Sequence, residues 1–82
     1  MVVVHRAHGF RIVIYTQDHK PAHVHVTGPG RAKINLLGPD GRPEVVDVVG
    51  IKNSDMRRLL TEVTEHRDRL MREWERIHGR SD

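Results

Sequence analysis

The hydrophobic pattern of this chain changes its period once, between residues 50 and 53. Before that point, short runs of apolar residues alternate with other residues, which is typical of strands with one face on a core. After it, apolar residues recur every three or four positions up to residue 77, which is typical of an amphipathic helix. Because each kind of element must bury its apolar face against another element, the sequence predicts an α+β domain.

Turn residues divide the first 50 residues into segments suited to strands. The clearest segment is 10–15, in which Phe10, Ile12 and Ile14 share one face. Glycine and proline at 28–30 and 38–43 favour tight reversals between neighbouring segments. We expect about four of the segments to form an antiparallel meander with one face on the helix. The candidate segments are 2–4, 10–15, 22–27, 31–37 and 44–49.

One long C-terminal amphipathic helix is predicted over residues 53–78. Residues 53–55 read Asn-Ser-Asp and offer helix caps and an acidic first turn, and Gly79 offers a stop. Arg67 interrupts the apolar stripe, and we expect its stem to lie along the edge of the core. The stripe itself consists of Met56, Leu60, Val63, Leu70, Trp74 and Ile77, widened by Leu59 and Met71.

Length and composition restrict the class of protein. The 82 residues suffice for one domain, 1–82, with its sheet in 1–50 and its helix in 53–78. The chain has no cysteine, no apolar run long enough to span a membrane and no secretory pattern, which favours a cytoplasmic protein. It also has no serine elbow, cysteine nucleophile or glycine-rich phosphate loop. These absences favour a binding protein over an enzyme.

A domain of this size gains stability from burying further apolar surface, so we expect a homodimer. The spare apolar residues Leu59, Met71 and Val13 are its predicted contacts. The net charge of +3 comes wholly from residues 1–52, which carry seven Lys or Arg against four Asp or Glu. An anion-binding surface is therefore expected in that part of the chain.

The densest motif of the chain is 18–26, which contains three of its seven histidines. Once the chain is extended after Pro21, His23 and His25 point to the same face. Two neighbouring imidazoles can bind a divalent transition metal such as zinc, whereas a polar cluster bonded to backbone carbonyls is the alternative. The candidates for the remaining metal ligands are His19, Asp18 and His5.

The outer face of the predicted sheet supplies three functional hypotheses. We favour a non-catalytic binding module whose basic residues attract the phosphates of a nucleic acid or an acidic partner. A His-x-His metal site is the second hypothesis. The third is a metal-independent ribonuclease with the paired histidines as acid and base and Arg31 or Lys33 stabilising the transition state. The predicted binding residues are Arg11, Tyr15, His23, His25, Arg31 and Lys33.

The motifs Gly9-Phe10-Arg11, 18–26, Ala32-Lys33 and Glu65-His66-Arg67 together resemble the small bacterial proteins of the family called domain of unknown function 4160. Members usually carry two prolines before the histidine pair, and here Ala22 stands in place of the second. The resemblance implies a small cytoplasmic protein encoded beside a small protein partner, in an arrangement like a toxin–antitoxin pair. This implication is an analogy and does not assign either role to the chain.

Overall fold

The computed structural model describes residues 1–79. Five strands form one antiparallel sheet in the order β1-β2-β3-β4-β5, and two helices follow them along the chain. The predicted α+β class and the antiparallel meander packed on the C-terminal helical segment are confirmed. The elements are β1 (Val2–Ala7), β2 (Phe10–Ile14), β3 (His23–Thr27), β4 (Arg31–Asn35), β5 (Glu44–Val49), α1 (Asn53–Glu65) and α2 (Arg67–His78).

The sheet has five strands where about four were expected, and the helical segment divides at His66. His66 leaves the helical conformation with φ −106° and ψ 15°. The Thr61 and Thr64 hydroxyls each donate a hydrogen bond to the carbonyl four residues earlier, an arrangement that bends helices. Hydrogen bonding resumes immediately, since the Leu70 amide donates to the His66 carbonyl at 2.9 Å. The division is therefore a local turn within one helical segment.

The core lies between the helices and one face of the sheet. Trp74 is only 5% exposed and contributes the largest side chain of α2 to this core. Since the sheet residues alternate, β2, β3 and β4 each present one apolar face to the helices. The buried cluster comprises Phe10, Ile12, Ile14, Val24, Val26, Ala32, Ile34, Leu36, Leu59, Val63, Leu70 and Trp74.

The residues predicted to form a dimer contact are not available on the surface. Leu59 and Val13 are fully buried, and Met71 is partly buried against the core. Within the strands, the exposed large apolar residues all lie on the edge strand β5, at Val46, Val48 and Val49. Self-association stays a prediction, and β5 replaces the three expected residues as its candidate surface.

Arg67 connects α2 to the turn before β5. Its Nη1 donates to the Gly41 carbonyl at 2.7 Å, and its Nη2 lies 3.3 Å from the Asp68 carboxylate. The charge of Arg67 is therefore paired with an acid, and the expected course of its stem along the edge of the core stays a prediction. No helix among residues 1–79 is both long and apolar enough to cross a membrane.

Candidate functional site

Three of the five predicted metal-ligating residues, Asp18, His23 and His25, meet at one end of the sheet. The Nε2 atom of His23 lies 3.3 Å from Asp18 Oδ2, and the Nε2 atom of His25 lies 3.4 Å from the same oxygen. One ligand atom from each residue lies within 4.8 Å of the other two. Strand alternation places the two histidine side chains on the same side of β3. The loop before β3 brings the Asp18 carboxylate to the same place.

The carboxylate of Asp18 is held by the turn that follows β2. The Asp18 amide donates to the Tyr15 carbonyl at 3.1 Å, and the Tyr15 amide donates back to Asp18 Oδ2 at 3.2 Å. Asp and Asn commonly close turns in this way, by bonding their own neighbouring backbone. The turn fixes the acid in position before β3 begins.

His23 has a fixed tautomer. Its Nδ1 lies 2.8 Å from the Pro21 carbonyl oxygen, and because a carbonyl can only accept, Nδ1 must carry the proton. Nε2 of a neutral His23 is then left with its lone pair and faces Asp18. A histidine that donates one ring nitrogen to a backbone carbonyl and points the other inward has the arrangement found in metal-ligating histidines.

His23 does not lie on the open face of the sheet, where we expected it. The residue is only 4% exposed, and its ring centroid lies 5.2 Å from that of Trp74 on α2. The reason is that His23 is the first residue of β3, so its ring reaches the end of α2 rather than the centre of the sheet. His23 is therefore unavailable as a surface contact for a partner.

His25 carries a buried nitrogen that makes no hydrogen bond of good geometry. Its Nε2 is inaccessible to solvent, and the Asp18 carboxylate oxygen 3.4 Å away is not aligned to form a hydrogen bond with it. Burial lowers the pKa of His25 below its ordinary value, His23 and Lys33 act in the same direction, and Asp18 opposes them. The ring of Tyr15 packs edge-on against that of His25 at 4.7 Å. Buried polar atoms are usually bonded, so this one suggests an additional ligand.

Two distances in the cluster, each from a histidine Nε2 to Asp18 Oδ2, fit a tetrahedral metal site. With metal–ligand distances of about 2.0–2.2 Å, two ligands of a tetrahedral zinc ion lie about 3.3–3.6 Å apart. The two Nε2 to Oδ2 distances, 3.3 and 3.4 Å, fall in this range. Two imidazoles and one carboxylate suit zinc and related divalent transition metals.

The other two residues proposed as ligands lie outside this cluster. His19 is exposed and does not join the group. His5 belongs instead to a second cluster with Glu62 and His66 on the helical side of the sheet. Arg69 donates to His5 Nδ1 at 2.8 Å, so Nε2 carries the proton of a neutral ring and donates to Glu62 at 2.8 Å. Both ring nitrogens of His5 are therefore occupied.

A bulge in β1 creates this second cluster. Val3 pairs with Val13 and His5 with Ile12, so Val4 is an extra residue, and His5 shares the helical face with Ile12. The Val4 carbonyl accepts a hydrogen bond from Arg69 Nη1 at 2.9 Å. The hydrogen bond from His5 lowers the pKa of Glu62, and the positive charges of neighbouring histidines add to the effect. This cluster joins the edge strand to the helices.

The sequence profile of the family described as Domain of unknown function (DUF4160) matches residues 9–75. The chain belongs to this family. Asp18, His23 and His25 lie inside the part that matches the DUF4160 profile, whereas His5 and the β1 bulge precede it. No curated protein and no solved structure matches the chain.

The remaining predicted binding residues of this DUF4160 domain lie on the face of the sheet opposite the helices. Arg11 and Arg31 are exposed, and Lys33 is half-buried. A cavity of about 250 Å³ opens on this face, and four of the six predicted binding residues line it. They are Tyr15, His25, Arg31 and Lys33, with Thr27 and Asp47 among the other lining residues.

Sequence reasoning missed two features of the site. One is the contact between His23 and Trp74, because hydrophobic periodicity does not give the position of a helix end relative to a strand. The other is the cluster around His5, for which the only sequence signal is that residues 62, 66 and 69 are polar and share one side of a helix.

Proposed function

We propose that this protein binds a divalent transition metal ion, with Zn²⁺ as the reference ion, through Asp18, His23 and His25. The observation that supports the proposal best is the spacing of the three ligand atoms, since both Nε2 atoms lie 3.3–3.4 Å from one Asp18 oxygen. These distances are those between ligands of a tetrahedral ion.

Two further contacts favour a metal over a plain hydrogen-bonded cluster. The bond from His23 Nδ1 to the Pro21 carbonyl leaves Nε2 of the neutral ring as the free ligand atom. His25 Nε2 is buried without a well-formed hydrogen bond, although Asp18 Oδ2 lies 3.4 Å away, and this costs free energy unless a ligand pairs with the nitrogen. A bound cation would satisfy both nitrogens and neutralise the Asp18 carboxylate.

Three protein ligands leave the fourth position of a tetrahedral ion for water or an added ligand. In this proposal the protein is a metal-dependent binding module, and a group from a partner can complete the coordination. The protein partner and the toxin–antitoxin arrangement implied by the family resemblance stay predictions. A ribonuclease with paired histidines is not supported, because His23 is buried and its Nδ1 is already bonded.

A thermal-shift experiment tests the proposal. Metal at 100 times its dissociation constant stabilises the folded state by about 2.7 kcal/mol. At about 4–8 °C per kcal/mol for a domain of this size, Zn²⁺ should raise the Tm by about 10–20 °C, and chelator should reverse the rise. Ni²⁺ at the same excess over its own dissociation constant should act similarly.

His25→Gln should remove the metal-induced rise in Tm while leaving the metal-free protein folded, because His25 is partly exposed and outside the apolar cluster. His19→Gln is the matched control, since His19 lies in the same motif but outside the ligand group. A wild-type protein whose Tm does not respond to metal, or an equal response in the His25→Gln variant, would overturn the proposal.

A further inference from the structure

A row of arginines crosses the face of the sheet that points away from the helices. The strand register places Arg6 opposite Arg11, Arg11 opposite Thr27, and Thr27 opposite Arg31. Residues directly opposite each other on antiparallel strands point to the same face. Lys33 stands two positions from Arg31 on β4, on that same face. We call Arg6, Arg11, Arg31 and Lys33 the cationic row.

The cationic row is not neutralised within the described chain. Like charges placed directly opposite each other, as Arg6 and Arg11 are, destabilise a sheet. Some arginines elsewhere are paired, for example Arg58 with Asp55. Among residues 1–79, no member of the cationic row has an ion pair, although Asp47 faces Lys33 in the register. The row therefore presents several free positive charges on one face.

One neighbouring feature suggests that an anion covers the row. The cavity of about 250 Å³ lies at the β4 end of the row, with Arg31 and Lys33 in its wall. Guanidinium and ammonium groups that line one opening are suited to phosphate oxygens.

We infer that the cationic row binds the phosphodiester backbone of duplex nucleic acid without reading its sequence. The row spans three strand spacings, about 14 Å, and a regular line of positive charges complements a regular line of phosphates. Single-stranded nucleic acid needs exposed aromatic platforms, and here Tyr15 packs against His25 while Phe10 and Trp74 are buried. This binding surface adjoins one proposed metal ligand, since His25 pairs with Lys33 and lines the same cavity.

The salt dependence of binding tests the inference. Four phosphate contacts predict a slope of about −3.6 for log K against log[salt]. Affinity for a labelled 20-base-pair duplex, measured by fluorescence anisotropy, should therefore fall about 150-fold between 50 and 200 mM salt. Two duplexes of unrelated sequence should bind equally, because backbone contacts carry no sequence information.

Arg11→Gln should reduce the magnitude of the slope by about 1 and weaken binding to both duplexes alike. Arg72→Gln is the matched control, since it removes the same charge from an exposed position on α2 and should leave the slope unchanged. Circular dichroism checks that both variants are folded. Three results would overturn the inference: no salt-dependent binding, equal losses in the two variants, or poly-glutamate competing as well as the duplex at equal charge.

Discussion

Replacing Trp74 by alanine should remove much of the stability of the fold. Trp74 is 5% exposed and belongs to the core cluster. The centroid of its ring lies 5.2 Å from that of His23 and 3.9 Å from that of His78. Truncating a buried tryptophan costs about 3–5 kcal/mol. At about 0.05–0.15 kcal/mol per residue, a domain of this length has only about 4–12 kcal/mol in total. The Tm should fall by about 12–40 °C.

Urea unfolding followed by far-ultraviolet circular dichroism measures the loss, because the substitution removes the only tryptophan and with it the fluorescence signal. Arg72→Ala, at an exposed position on the same helix, is the control and should change the free energy of unfolding by less than about 0.5 kcal/mol. A Trp74→Ala variant that loses less than about 1 kcal/mol would show that the indole does not support the core.

Two further predictions concern the cluster that joins β1 to the helices. Arg69→Ala should lower the free energy of unfolding by about 1–3 kcal/mol in urea titrations, because it removes a charged donor from the Val4 carbonyl and from His5. Since the pKa of Glu62 is lowered in the folded state, its ionised form stabilises the protein above its ordinary pKa of 4.5, and this stabilisation is lost as the pH falls through the lowered value. The difference in free energy of unfolding between wild type and Glu62→Gln should therefore shrink below pH 4.5, and an unchanged difference would contradict the contact with His5.

Most of the sheet could be predicted because the alternation of apolar residues within each strand shows which side chains share a face. Alternation assigned Phe10, Ile12 and Ile14 to one face, and all three are in the core. The same parity rule placed His23 and His25 together on β3, and the structure adds Asp18 to them. The rule fails where a strand is irregular: the extra residue Val4 shifts the parity of β1, and nothing in its sequence marks a bulge.

Features that depend on how elements meet could not be predicted. The burial of His23 follows from where α2 ends against the sheet, and the exposure of β5 follows from its position at the edge. Leu59 and Met71 were expected to remain on the surface. The apolar stripe of a helix does not show how wide an area of the sheet the helix covers. Two helices joined by a turn at His66 cover more of the sheet than one narrow stripe suggests.

A calorimetric titration with Zn²⁺ near pH 7.5 tests the central claim most directly. The proposed site predicts one ion per chain for the wild-type protein, the same result for His19→Gln, and at least a tenfold loss of affinity for Asp18→Asn and for His25→Gln. The fluorescence of Trp74 should change in step with the heat, because its ring lies 5.2 Å from that of His23. The claim is contradicted by the absence of saturable binding, or by binding that survives unchanged in both the Asp18→Asn and His25→Gln variants.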